Sequence, residues 1–134
     1  MNVFITDLRN QPGELAKVTE AIAAKGIDIT AFGAVATGTT GTVALVTNDE
    51  AGTRRALNEA HIKTHEVELV TAPVPNGAGS LADVSRRLAN LGINVEAAFP
   101  TRTPDGQWAI AFATSDPAKA RSMLGERVAV GASH

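Results

Sequence analysis

The chain has 134 residues, no cysteine, and 12 basic against 14 acidic side chains for a net charge of −2. That balance excludes disulfides and thiolate metal sites and gives no pull toward nucleic acid or an anionic membrane. No 18-residue apolar run and no basic-then-apolar leader is present, so a soluble cytoplasmic protein is expected, as one domain or two very small ones sharing a core.

Val3-Phe4-Ile5-Thr6-Asp7-Leu8 reads as a strand, and Arg9-Asn10-Gln11-Pro12-Gly13 as a turn in which Pro fixes one φ angle and Gly permits an unusual one. From Glu14, the residues Leu15, Val18 and Ile22 recur at i, i+3 and i+7, the buried stripe of a helix, and Gly26 stops it. Ile27, Ile29 and Ala31 alternate with Asp28 and Thr30, the period of a half-buried strand. Thr37-Gly38-Thr39-Thr40-Gly41 is a hairpin loop before a strand from Thr42 to Thr47. Asn48 or Asp49 caps a second helix with Ala56, Leu57 and Ala60 on its apolar side, and a short strand is expected near Ile62 to Thr64. The order is βαββαβ.

The second half repeats that order. Gly13-Glu14-Leu15-Ala16-Lys17-Val18 returns as Gly79-Ser80-Leu81-Ala82-Asp83-Val84, and Gly26-Ile27-Asp28-Ile29 returns as Gly92-Ile93-Asn94-Val95, always 66 residues on (79 − 13, 92 − 26). A strand is expected near Val67 to Pro73, then the loop 74–79, then a helix striped by Leu81, Val84, Leu88 and Leu91. The hairpin at Thr103-Pro104-Asp105-Gly106 is one residue longer than its partner. Beyond it Val43, Leu45, Thr47 and Asp49 match Ile110, Phe112, Thr114 and Asp116 at an offset of 67. Met123 and Leu124 match Ala56 and Leu57, a last strand falls at Val128 to Val130, and the final Gly-Ala-Ser-His is expected to fray. The expected domains are 1–65 and 66–134.

At Asn10-Gln11-Pro12-Gly13-Glu14-Leu15-Ala16-Lys17-Val18 with Gly26-Ile27-Asp28-Ile29, the sequence resembles the ACT domain, a small ligand-sensing module. The second half keeps Gly79, Leu81 and Gly92-Ile93-Asn94-Val95 but has Ala78 where the family usually has Pro, and Asn76 aligns with Asn10. Together the copies cover most of the chain, which looks like a stand-alone tandem ACT protein. The resemblance implies an α+β, ferredoxin-like βαββαβ sandwich in each half, with antiparallel sheets side by side and helices on one face. It also implies an amino acid bound at the junction of the two domains. The site residues so implied are Asn10, Gln11, Pro12, Gly13, Glu14 and Leu15 with Asp28 and Ile29. In the second half they are Asn76, Gly77, Ala78, Gly79, Ser80 and Leu81 with Asn94 and Val95.

A physical reason is visible beside the resemblance. Gly13 and Gly79 begin helices, so unpaired N–H groups and the positive dipole end suit a ligand carboxylate. The ligand's ammonium needs acceptors such as Asn10 or Asn76. The competing reading of Asn-x-Pro-Gly is a tight turn before a helix. Asp28 and Asn94 are either solvated strand positions and helix-end caps or part of a ligand wall.

Gly77-Ala78-Gly79-Ser80-Leu81-Ala82 satisfies a dinucleotide fingerprint, with Glu96 at the distance of a ribose-binding acid. Gln11 replaces the first Gly in the other copy, and the next strand turns by a hairpin, so nucleotide binding is not expected. Nor is catalysis. His61 and His65 read as surface residues, Arg54-Arg55 and Arg86-Arg87 as wet helix faces, and no metalloprotease or nucleophile-elbow motif is present. Five aromatic residues and no Tyr leave no RNA-binding face. No cofactor or metal is expected. The expected role is amino-acid sensing, or, as the alternative, a non-liganded regulatory subunit of an amino-acid biosynthetic enzyme. A homodimer is expected to pack the helix-free sheet faces or adjoining edges, with Trp108 and an alternating set including Val46, Ala109, Ala111 and Ala113 on that face.

Overall fold

In the computed structural model, residues 1–73, 79–102 and 105–124 are described. The elements are β1 (Asn2–Arg9), α1 (Glu14–Ala23), β2 (Ile29–Thr37), β3 (Thr40–Thr47), α2 (Glu50–Glu59), β4 (His65–Pro73), α3 (Ser80–Asn90), β5 (Val95–Arg102), β6 (Trp108–Thr114) and α4 (Pro117–Leu124). The chain is α+β and divides into two compact units, Met1–Val67 and Glu68–His134. The last strand expected at Val128 to Val130 and the loop 74–78 lie outside the described residues.

In the first unit β3 pairs antiparallel with β1 on one side and with β2 on the other. The Thr37↔Thr40 pair leaves a two-residue turn, Gly38-Thr39, in place of the five-residue loop expected. Gly38, at φ 63°, supplies the positive angle such a tight hairpin needs. Phe4 on β1 and Val43 and Leu45 on β3 pack against Val18 and Ile22 of α1 and Leu57 of α2. Both helices therefore cover one sheet face, as their stripes require. Asp49 caps α2 through its side chain, which accepts from the Gly52 N–H at 2.9 Å.

The second unit follows the same plan. β6 pairs antiparallel with β4 and with β5, and Val70, Ala72 and Phe112 pack against Val84 and Leu88 of α3 and Ala120 of α4. The β2–β3 register shifts between Ile29 and Ala31, and the β5–β6 register shifts between Val95 and Ala97. These irregularities stand 66 residues apart (95 − 29). β4 and β5 flank α3 and both pair antiparallel with β6, so the strand after β5 is its antiparallel neighbour and not one reached by a second helical crossover, as a dinucleotide-binding unit requires.

Four further sequence expectations need correction. Leu15 and Leu81 were expected to be buried and are 41% and 51% exposed. Both sit in the first turn of their helices. Leu15, with Ala16 and Thr19, faces Ile29 and Phe32 on the outer strand across a groove that these side chains leave unfilled. Ala60 was expected on the apolar side of α2 but is its exposed C-cap residue. No strand forms at Ile62 to Thr64. The left-handed His61 turns the chain sharply after α2, Ile62 drops against the core, and the strand starts only at His65. Finally, Val46, Ala109, Ala111 and Ala113 are buried within the chain, so they are not an open face awaiting a second copy. Trp108 is exposed, with the Arg102 guanidinium 4.4 Å from its ring centroid.

Candidate functional site

The strand-to-helix loop after β1 is set by two residues. Gly13 lies at φ 89°, ψ −12° as the N-cap of α1, a left-handed conformation, and no side chain caps the helix there. The first helical bond runs from the Lys17 N–H to the Gly13 carbonyl at 3.0 Å, and the Glu14 N–H reaches back to the Gln11 carbonyl at 3.3 Å. Glu14 is the acid of the first turn, 3.5 Å from the Lys17 ammonium. Asn10 ties the loop to the β2–β3 hairpin. Its backbone N–H donates to the Thr39 carbonyl at 3.0 Å and its Nδ2 donates to the Gly38 carbonyl at 2.9 Å. Asn10 is exposed, and its Oδ1 accepts no hydrogen bond among the described residues. Gln11, Pro12 and Leu15 are exposed around it.

The loop before α3 ends on the same geometry, Gly79 at φ 90°, ψ −7°, again without a side-chain cap. Ser80 is partly buried and Leu81 exposed. Asn76, Gly77 and Ala78 lie outside the described residues. Asp28 and Asn94 precede β2 and β5 with exposed side chains and serve through their backbones. The Asp28 N–H donates to Asn48 Oδ1 at 3.1 Å while the Asn48 N–H donates to the Asp28 carbonyl at 3.1 Å. The Asn94 N–H likewise donates to Ser115 Oγ at 3.0 Å, and the Ser115 N–H to the Asn94 carbonyl at 3.0 Å. Ile29 packs against the core of its unit, and Val95 is exposed.

Two concave surfaces belong to the first unit. One, of about 390 Å³, is the apolar groove of Leu15, Ala16, Thr19, Ile29 and Phe32. The other, of about 650 Å³, lies between β1 and the connection from α2 to β4. It is lined by Ile5 to Leu8 of β1, by Glu14, Lys17 and Val18 of α1, and by the segment 60–65. The sequence showed the two histidines but not the groove they border, because the turn at His61 and the hydrogen bond from Thr6 Oγ1 to the Lys63 carbonyl at 2.6 Å create it.

The strongest ion pair of the unit stands away from both loops. Arg54 grips Glu66 in bidentate fashion, Nε to Oε2 and a terminal nitrogen to Oε1, each at 2.6 Å. That hydrogen bonding, with a further bond from Asn2 Nδ2 at 3.2 Å, holds the Glu66 carboxyl below the usual carboxylate range. No group of three or more His, Asp or Glu side chains able to hold a metal occurs among the described residues. No described helix is long and apolar enough to cross a membrane.

No protein-family model and no curated protein matches the sequence. Solved structures do match. Protein BT0572 from Bacteroides thetaiotaomicron superposes with a TM-score of 0.76 at 22% identity, over 92% of this chain and 85% of that one. The regulatory subunit of aspartate kinase from Thermus thermophilus gives 0.60 at 20% identity, over 92% and 87%. Its counterpart from Thermus flavus gives 0.57 at 17%, over 92% and 87%. The fold is ACT-like. In this chain Gly13 and Gly79, both left-handed and 66 residues apart (79 − 13), open the helices that follow β1 and β4.

Proposed function

We propose that this protein is a regulatory, non-catalytic chain of two tandem ACT-like domains, 1–65 and 66–134, that binds a free amino acid at the loop after β1. The observation that carries the reading is the uncapped start of α1. Gly13 holds a left-handed turn, and no side chain makes a capping hydrogen bond to the first turn of α1. A carboxylate set there meets donors and the positive end of the helix dipole. Asn10 Oδ1 is the acceptor for the ligand's ammonium. The second loop repeats Gly79 in the same conformation, but lacks the Pro that stiffens the first, so the first loop is the tighter site. The regulated partner is an enzyme, in keeping with the aspartate kinase regulatory subunits that share the fold.

One feature favours the alternative of an interaction module without ligand. Phe32, 62% exposed, and Leu15 border an apolar groove that a partner protein can cover.

A thermal-shift screen against the twenty amino acids separates the two. A ligand binding only the folded state raises stability by about 2.7 kcal/mol at a hundredfold excess over Kd. For a ligand found this way, calorimetry is expected to show binding abolished in Gly13→Val, because a β-branched residue does not hold φ 89°. Asn10→Ala is expected to weaken it by about 1–3 kcal/mol. No shift with any amino acid rejects the sensing function. Unchanged affinity in both variants rejects the site.

A further inference from the structure

Helices α1, α2 and α3 end in the same hydrogen-bonded turn. The N–H groups of Ile27, Ile62 and Ile93 donate to the carbonyls of Ile22, Leu57 and Leu88 at 3.5, 2.9 and 3.0 Å. The residues just before them, Gly26, His61 and Gly92, donate to Ala23, Asn58 and Ala89 at 2.9, 3.0 and 2.9 Å. This is the Schellman arrangement, in which the residue before the last donor is left-handed and usually Gly. Two of the three follow that habit, Gly26 at φ 71° and Gly92 at φ 72°. The third is His61 at φ 58°, the one non-glycine with positive φ among the described residues. An imidazole therefore stands in a conformation that disfavours every side chain, where glycine would relieve the strain.

That imidazole borders the 650 Å³ groove, together with Lys63 and His65. Each of the two carboxylates in the groove has a partner, and Lys17 and Lys63 balance their charge. Asp7 Oδ1 accepts from Thr42 Oγ1 at 3.1 Å, and Glu14 lies 3.5 Å from the Lys17 ammonium. The side chains of His61, Lys63 and His65 make no hydrogen bond or ion pair among the described residues. Their backbone is nonetheless pinned, by the turn at His61 and by Thr6 Oγ1 on the Lys63 carbonyl. The unspent capacity of the groove is thus hydrogen-bond donation, from one ammonium and two rings on a fixed segment. Its size falls within the range of small-molecule sites.

We infer that this groove binds a compact dianion, a small dicarboxylate or a phosphate, through His61, Lys63 and His65. The site is separate from the amino-acid loop, shares only Glu14 with it, and does not depend on that reading. Hydrogen bonds to an ionised acceptor are the strong ones, and a dianion has acceptor oxygens enough for all three donors.

Calorimetry on the full chain with succinate, inorganic phosphate, acetate and aspartate tests it. One-to-one binding of succinate or phosphate, with acetate silent, is expected, and which of the two binds identifies the source. His61→Gly is expected to weaken that binding at least about tenfold, the effect of one charge-assisted hydrogen bond, while raising Tm. Lys63→Met should weaken it comparably with Tm unchanged. A His61→Gly protein that is more stable and binds equally well would make the histidine merely tolerated and overturn the site. So would silence of both dianions on the wild type. Binding of aspartate with succinate and phosphate silent would also overturn it, and would speak for the loop site instead.

Discussion

Thr47 and Thr114 hold matching places at the ends of β3 and β6, yet only one hydroxyl is satisfied. Thr47 Oγ1 lies 2.7 Å from Thr53 Oγ1 and accepts from the Asp49 N–H at 3.3 Å. Thr114 Oγ1 is buried without a partner among the described residues, because Ala120 stands where the first unit has Thr53 (120 − 53 = 67). A buried hydroxyl without a bond is a net cost. Thr114→Val is therefore expected to raise unfolding free energy by about 1 kcal/mol, and Thr47→Val to lower it by about 1–3 kcal/mol, both read from urea denaturation. Glu66 yields a pH prediction. Its folded pKa is lowered by the Arg54 hydrogen bonds, so its contribution is present above the unfolded carboxyl value and is lost as pH falls through the folded one. Below about pH 4.3, the ordinary Glu value, the wild type should lose urea resistance more steeply than Glu66→Gln. Parallel curves would mean that Glu66 is not the titrating group. The Thr47–Thr114 match was readable from the constant offset. The loss of the partner was not, because hydroxyl pairing depends on how α2 and α4 are rotated over their strands.

Helices show where periodicity succeeds and where it stops. Val18, Ile22, Val84 and Leu88 are buried as their spacing demands, but Leu15 and Leu81 on the same stripes are exposed. Periodicity fixes which side of a helix faces the sheet. It carries no information on whether strand side chains fill the space below its first turn. The energetic consequence is measurable: Ile22→Ala should destabilise by about 2–5 kcal/mol, and Leu15→Ala by less than about 1 kcal/mol. Equal losses would mean that Leu15 is covered in solution. The candidate loop was legible for a related reason. Pro12-Gly13 before a helical stripe announces a left-handed turn, and Gly13 adopts one, as does Gly79 at the matching place without the Pro. The donor groove was not legible, because it arises from a left-handed turn at His61, where the sequence has no glycine to announce it.

Association depends on which strands are left bare. β2 pairs with β3 alone among the described residues and reads ITAFGAVAT, with no charge and no proline. Its Phe32 and Val35 are 62% and 72% exposed. β5, its counterpart on β6, carries Glu96, Pro100 and Arg102. Charges and proline are the usual protection of an edge, and a long apolar edge without them invites pairing. A homodimer through β2, rather than through the buried Ala109–Ala113 face, is expected in sedimentation, with Val35→Lys monomeric. A wild-type monomer would remove the idea. The contrast between the two edges also governs how far assembly can run. Pairing β2 with its own copy is isologous and consumes the exposed edge of both partners, so growth closes at two. Were β5 equally bare, each chain would present two different adhesive strands, and head-to-tail addition could continue into a filament. In a dimer joined through β2, Pro100 and the charges of β5 would be what keeps polymerisation from continuing.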